Sequence, residues 1–378
     1  MRINKQKDKP EESAWQIAQS IISRAIEMGA TDVHFEPDRD PSGKWISVRY
    51  RINGILKDIG KIENLSSGPE SVINALKVAS DMDPSQKRKG QDGRFNFKFG
   101  EKNLDLRVSS LPTIIGEKIV LRIIDKEKYV RKLEELGMSE EGLDIYRSFV
   151  SRPQGLILIT GPVGCGKTTT LYSTLNKIQT REKSFYTIED PVESKFSGVS
   201  QTQVDSEFGM TFSSGLRAIL RQDSEVVMIG EIRDAETAQI SLRASLAGCL
   251  IFSTLHAKDS AHTVIRLMDM GMEPYLIAET LSCIVAQRLV RLTCDLCKGK
   301  GCQYCNNSGF RRRTGIFEIM KVSETIKTLI SKQASAEEIN NVALAEGMVT
   351  LRDAGNRLVT KGLTLPSEIY RVLASEEE

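Results

Sequence analysis

The stretch "LILITGPVGCGKTTTLY", residues 156–172, limits the fold of this chain more than any other. Leu156 to Ile159 is a short apolar run bounded by Gly155 and Gly161, the profile of a buried parallel strand. In "KTTTLYSTLNKI" the apolar residues Leu171, Leu175 and Ile178 fall four and three apart, which predicts a helix. Strand, glycine loop and helix in that order give the pattern G-x-x-x-x-G-K-[ST] its meaning as a phosphate loop. Gly161, Gly164 and Gly166 let the backbone curl so that successive N–H groups face an anion, and the helix N-terminus adds partial positive charge. Pro162, Val163 and Cys165 fill the loop between them, and Thr169 follows in the first helical turn. Lys167 is spaced to reach the β- and γ-phosphates of a nucleotide, and the Thr168 hydroxyl to ligate Mg²⁺.

Around that loop the chain reads as two domains, with a small third element. Its 378 residues, 40% hydrophobic and 27% charged, are ordinary for globular protein. A net charge of +2 gives no general drive toward nucleic acid or anionic lipid. No apolar stretch approaches the roughly 20 residues that span a bilayer. "MRINKQKDKPEESAW" has charge but no apolar core behind it, so a cytoplasmic location is expected.

Residues 1–12 are polar and expected to be disordered. "SAWQIAQSIISRAIEMGA" carries a helical apolar face and stops at Gly29. "DVHFEP", "WISVRYRING", "ILKDIGKI", "GRFNFKF" and "DLRVSSLPT" read as strands, interrupted by one helix in "SVINALKVASDM". Residues 13–125 are therefore expected to form an α+β domain, and the charge-rich 126–140 a linker leading into helix. Over 141–378 strands alternate with helices: "SFYTIEDP", "EVVMIGEI" and "CLIFSTLH" follow the loop strand. That alternation predicts a parallel sheet covered on both faces. A polar insertion occupies 292–310, and the tail from Glu324 to Leu373 reads as helical.

Three further strands end in chemistry-bearing residues, at the sheet edge where ligands collect in open α/β folds. "VVMIGEIRD" has Gly230 at the usual aspartate position of a Mg²⁺-facing strand, so Glu231 is expected to serve through a metal-bound water. "YTIEDPVE" sets Glu189, Asp190 and Glu193 at a strand end, where Glu193 can orient and deprotonate an attacking water. "FSTLHAKDS" ends in His256, one of three histidines, expected to sense the γ-phosphate. In "CDLCKGKGCQYC", Cys294, Cys297, Cys302 and Cys305 form two C-x₂-C knuckles separated by four residues. Four thiolates suit tetrahedral Zn²⁺ and leave no position open for catalysis. Gly299 and Gly301 allow the tight reversal between the knuckles. The seven cysteines point to metal or buried thiols rather than disulfides.

The blocks "GATDVHFEP", "VRYRING", "LRVSSLPT", "GEKIVLRI", "TIEDPVE", "LRAILRQDSEVVMIGEIRDAETA", "AQRLV" and "RTGIFEI", with the loop among them, resemble one family. It is the family of ATPases that drive type II secretion, type IV pilus assembly and competence pseudopilus assembly. The resemblance runs from about Ile17 to the C-terminus. It implies a RecA-like P-loop ATPase domain behind a smaller PAS-like one, assembled as a homo-hexamer, with ATP, Mg²⁺ and Zn²⁺ as cofactors. It further implies Lys167 and Thr168 as Walker A, Glu231 as the Walker B acid, Glu193 as catalytic base and His256 as the His box. Arg107 and Arg122 match arginines that the N-terminal domain turns toward nucleotide, and Arg217 and Arg221 match those just before Walker B. The tetracysteine resembles the assembly and secretion branch. Its short spacer, and the lack of an additional N-terminal domain, resemble compact competence-type members. Val163 and Cys165 stand where the family has Thr and Ser, and "HAKDS" replaces His-Thr-Asn-Asp. The partner implied is an inner-membrane platform protein, giving peripheral contact with the membrane's cytoplasmic face through that partner and no direct nucleic-acid binding. The rival expectation is a RecA-like motor that translocates DNA, for which Arg311 to Arg313 is the one dense basic run.

Overall fold

Period-two alternation in the first third of the chain builds a sheet with one apolar and one charged face. The structure, a computed structural model, describes residues 13–374 apart from 42, 64 and 126–128, and the chain divides into two compact units at 126/127. The segment 1–12 lies outside the described residues. In the first unit α1 (Ala14–Glu27) starts at a Ser13–Gln16 capping box. Then come β1 (Ala30–Asp40), β2 (Gly43–Ile52), β3 (Ile55–Ile62), α2 (Glu70–Ala79), β4 (Gln91–Phe99), β5 (Lys102–Pro112) and β6 (Glu117–Ile124). Among the described residues these strands form one antiparallel sheet in the order β3-β2-β1-β6-β5-β4. Val33, Phe35, Val48, Tyr50, Leu106, Val108 and Leu121 bury one face together with Ala18, Ile22 and Leu76 of the two helices. The α+β expectation holds, with one strand beyond the five expected. β6 lies between β1 and β5; its burial alternates, with Ile119 and Leu121 buried and Arg122 exposed, but the apolar Val120 between them hides that alternation in the sequence.

The second unit begins with an anchored segment rather than a free tether. Leu133 and Leu136 are buried beside Tyr146 and Phe149 of α3 (Glu140–Val150). The alternating part follows: β7 (Gly155–Thr160), α4 (Lys167–Ile178), β8 (Phe185–Glu189), β9 (Ser200–Gln203), α5 (Phe212–Ile219), β10 (Val226–Ile229), α6 (Ala235–Leu246) and β11 (Leu250–Leu255). After α7 (Ser260–Asp269) and α8 (Pro274–Thr280) come β12 (Leu281–Thr293) and β13 (Phe310–Lys321). The described sheet runs β13-β12-β7-β11-β10-β8-β9, parallel throughout except that β13 is antiparallel to β12. β7, β10 and β11 are buried along their whole length, which is why they read as continuous apolar runs. Helices α3 and α4 cover one face, and α5 to α8 pack on the other.

β12 and β13 were not among the expected strands, so the purely parallel sheet is corrected at this edge. The 292–310 insertion is the tip of their long hairpin, and the basic run Arg311 to Arg313 lies at the start of β13. The helical tail is found as α9 (Glu324–Ser331), α10 (Ala336–Ala345), α11 (Leu351–Thr360) and α12 (Pro366–Leu373). Glu368 ties α12 to the hairpin. Its fully buried carboxylate accepts from Arg291 Nη2 at 2.6 Å and Arg371 Nη2 at 2.6 Å. Burial pushes its pKa up, but the two guanidinium forks outweigh burial and hold it down at about 2. No helix among the described residues is long and apolar enough to cross a membrane.

Candidate active site

Parallel strands deliver their C-terminal ends to one edge of a sheet, and the glycine loop leaves β7 at that edge. The Thr160 hydroxyl fastens the edge: it donates to Leu255 O at 3.0 Å and accepts from the Ala257 N–H at 3.0 Å. Gly166, with φ +95°, immediately precedes α4, whose first turn receives no side-chain cap. Uncapped N–H groups at a helix start are the donors an anion would take. Thr168 and Thr169 are half-buried in that first turn. Lys167 folds back over the loop, donating from Nζ to Gly161 O at 2.6 Å and Pro162 O at 3.0 Å. Burial lowers its pKa, and Arg288 adds to that, while Cys165 and Glu231 oppose it.

Two residues from neighbouring strands reach the same place. Glu231 follows β10 and is paired with Arg233. His256 follows β11, with Nε2 at 3.7 Å from Glu231 Oε2 and a hydrogen bond to the Gly161 backbone. Burial and the nearby Lys167 lower the His256 pKa, against the pull of Glu231, which favours the neutral ring. Lys167, Glu231 and His256, expected from sequence to act together, therefore surround one end of the loop.

The acidic cluster after β8 is split by environment. Glu189 is buried and satisfied, accepting from Tyr172, from Thr187 at 2.6 Å and from Gln201 at 3.1 Å. Its pKa is raised by burial, despite those three hydrogen bonds. Such a carboxylate holds structure. Asp190 lies 3.3 Å from Arg233, which thereby bridges the ends of β8 and β10. Glu193 is half-buried, and its backbone N–H donates to the Tyr172 hydroxyl at 3.1 Å.

Two of the four expected arginines lie outside this cluster within the second unit. Arg217 and Arg221, expected to bind cofactor, are not brought to the loop within one chain. Arg217 pairs with Glu236 at 2.8 Å, and Arg221 donates to Arg217 O at 2.9 Å. Arg221 lies between the end of α5 and the start of β10, and a parallel strand starts at the edge opposite its phosphate loop. With Arg243, Asp223 and Cys249 the pair lines a groove of about 600 Å³. Arg107 and Arg122 belong to the first unit, as cross-strand neighbours on the charged face of its sheet. Arg122 is 63% exposed and pairs with Asp32 at 3.0 Å.

Three functional candidates were missed from sequence: Arg233, Gln287 and Arg288. The signal for the last two was present in "IVAQRLV", where two polar residues interrupt an apolar strand. Both are buried, and buried polar side chains persist only with partners.

At the hairpin tip the four cysteine Sγ atoms lie within 4.8 Å of one another. Three of the separations are 3.7, 3.7 and 3.8 Å. A tetrahedron with Zn–S bonds of about 2.3 Å has S–S edges of about 3.8 Å. Backbone N–H groups of Gly301, Cys302 and Gly309 donate to Cys297 or Cys305 sulfur at 3.2–3.3 Å. Donors aimed at sulfur favour thiolates, so the set fits a four-thiolate metal.

Residues 6–371 match the model of the family described as Type II/IV secretion system protein. The type II secretion system ATPase E of Vibrio cholerae is 39% identical, over 93% of this chain and 74% of its own length. The type IV pilus assembly ATPase PilB of Myxococcus xanthus is 38% identical, over 92% of this chain and 66% of its own. Among solved structures, the pilus retraction motor PilT with bound ADP aligns with a TM-score of 0.66 and 27% identity. It covers 93% of this chain and 96% of that one.

Proposed function

The chain belongs to the type II/IV secretion system protein family, and from that premise we propose that it is a hexameric, Mg·ATP-driven motor for assembly of a pilus or pseudopilus. It is a RecA-like ATPase; the hexamer, the Mg²⁺ and the machine it serves are the finer reading. The observation that carries this reading is the meeting of Lys167, Glu231 and His256 at Gly161, from three adjacent strands of one sheet.

In this reading the loop N–H groups and the start of α4 bind the β- and γ-phosphates. Lys167 exchanges its two carbonyl partners for phosphate oxygens. Thr168 and Glu231 would hold Mg²⁺, which when bound would supply positive charge against that of the transferring γ-phosphoryl group. Glu193 orients the attacking water, and His256 senses the γ-phosphate. Arg107 and Arg122 of the PAS-like domain supply further positive charge when that domain closes on nucleotide. Arg217 and Arg221, expected to bind cofactor, lie near the strand starts within one chain, so any part they take in nucleotide binding would be on an adjoining copy of the hexamer. Work is delivered at the cytoplasmic face of the inner membrane, through a platform protein of a type IV pilus, type II secretion or competence machine.

The test is turnover against assembly. ATP hydrolysis per chain should rise more than linearly with concentration, in step with hexamers measured by sedimentation, and duplex DNA should not stimulate it. Strong stimulation by DNA, or full turnover as a monomer, would overturn the reading.

Zinc is the proposed occupant of the tetracysteine, with a structural role. Freshly purified, reduced protein should carry about one Zn²⁺ per chain by elemental analysis. Cys297→Ser should lower zinc content and melting temperature together, because thiolate ligation is coupled to folding. Metal-free protein with an unchanged melting temperature would refute the assignment.

A further inference from the structure

Gly161 and Gly166, at the two ends of the phosphate loop, are glycines for a second reason besides their φ values of +146° and +95°. A Cβ on Gly166 would sit 2.9 Å from Gln287 Nε2, and one on Gly161 would sit 2.5 Å from Gln287 O and 2.8 Å from Arg288 Nη1. The loop is closed down onto the middle of β12. There the Gln287 side chain, 3% exposed, holds both halves of the motif. Its Nε2 donates to the Cys165 carbonyl at 2.9 Å, and its Oε1 accepts from the Thr170 hydroxyl at 2.7 Å. Beside it the buried Arg288 donates to Gln287 O at 2.8 Å and Lys258 O at 2.6 Å, which fixes the β12 backbone below the loop.

We propose that Gln287 is a positioning residue of the nucleotide site, clamping the phosphate loop to β12 so that its N–H groups stay aimed at an anion. The inference rests on the ATP reading of the loop above. One amide is required because the two contacts need opposite polarity: a donor for a carbonyl and an acceptor for a hydroxyl. A carboxylate at the same position keeps the acceptor but opposes the Cys165 carbonyl. Leucine has a similar volume and neither bond. Turning Cys165 O inward consumes the carbonyl side of that peptide, which leaves the opposite side of the loop to N–H groups. A loop that must find this arrangement on its own spends binding energy in ordering itself.

The test compares wild type with Gln287→Leu, Gln287→Glu and Thr170→Val. Nucleotide-free melting temperature, the increase in melting temperature caused by Mg·ADP, and KM and kcat for ATP are read on each. Gln287→Leu and Gln287→Glu should raise KM for ATP about tenfold or more and shrink the ADP-induced increase, and Thr170→Val should do so more mildly. The Leu and Val changes should also be less than additive when combined, since they break the same bond. A clamp that served only the fold would lower the nucleotide-free melting temperature and leave KM and the ADP increase at wild-type values, and that result overturns the proposal. Wild-type protein that neither binds ADP nor turns over ATP would instead defeat the nucleotide reading itself.

Discussion

Lys167→Ala should lower ATP turnover by about 10²–10³-fold with little change in the stability of the nucleotide-free protein. Lys167 Nζ is held by two backbone carbonyls, Gly161 O at 2.6 Å and Pro162 O at 3.0 Å, on a loop that also has Gln287 and α4 to support it. Losing those bonds costs about 1 kcal/mol each, and Pro162, which carries one of the two carbonyls, is exposed. Burial that lowers the lysine's pKa works in the same direction, since the fold is not stabilised by its charge. A nucleotide changes the balance. Its phosphates favour the charged ammonium, and the transferring γ-phosphoryl group needs that charge most when its bond is breaking. The experiment is phosphate release at saturating Mg·ATP, alongside thermal melting. Turnover above about a tenth of wild type would remove this loop from the reaction, whereas a large drop in melting temperature would show that Lys167 is a structural residue.

How far the residues themselves announced this arrangement varies along the chain. The loop was legible because three constraints coincide within 17 residues: a buried strand, glycines where φ must be positive, and an uncapped helix start. The helical tail was legible from periodicity, and α1 from its apolar face and capping box. β6 and the β12–β13 hairpin were not. In β6 the apolar Val120 between Ile119 and Leu121 masks an alternating burial, and β12, buried on both faces, reads as an undivided apolar run until Gln287 and Arg288 interrupt it. Those two residues look like faults in a core strand when read along the chain. Only the pairing of β12 with β7, which sets Ala286 beside Thr160, shows that they come out beneath the loop. Arg233 was hidden for a similar reason. It is one of many arginines in sequence, and its bridge between Asp190 and Glu231 exists only because β8 and β10 are neighbours.

Glu231→Gln should leave ATP binding near wild type while reducing turnover about a hundredfold or more. The amide is nearly isosteric and can still accept from Arg233, so the strand end and its bridge to Asp190 should persist. What disappears is the negative charge facing Lys167 and His256. In the proposed chemistry that charge would help hold Mg²⁺, and a metal less firmly placed would weaken the transition state more than the ground state. Equilibrium binding of ATP and single-turnover hydrolysis separate the two effects. The pH profile gives an independent readout. Glu231 raises the His256 pKa, which burial and Lys167 already hold below 6.5, so removing the carboxylate lowers it further. Any limb of the turnover profile that His256 controls should therefore move to lower pH in Glu231→Gln. Normal turnover in this variant would place the metal-facing acid elsewhere along the edge. Lost turnover with an unmoved limb would mean that Glu231 acts without His256, and the two would have to be assigned separate roles.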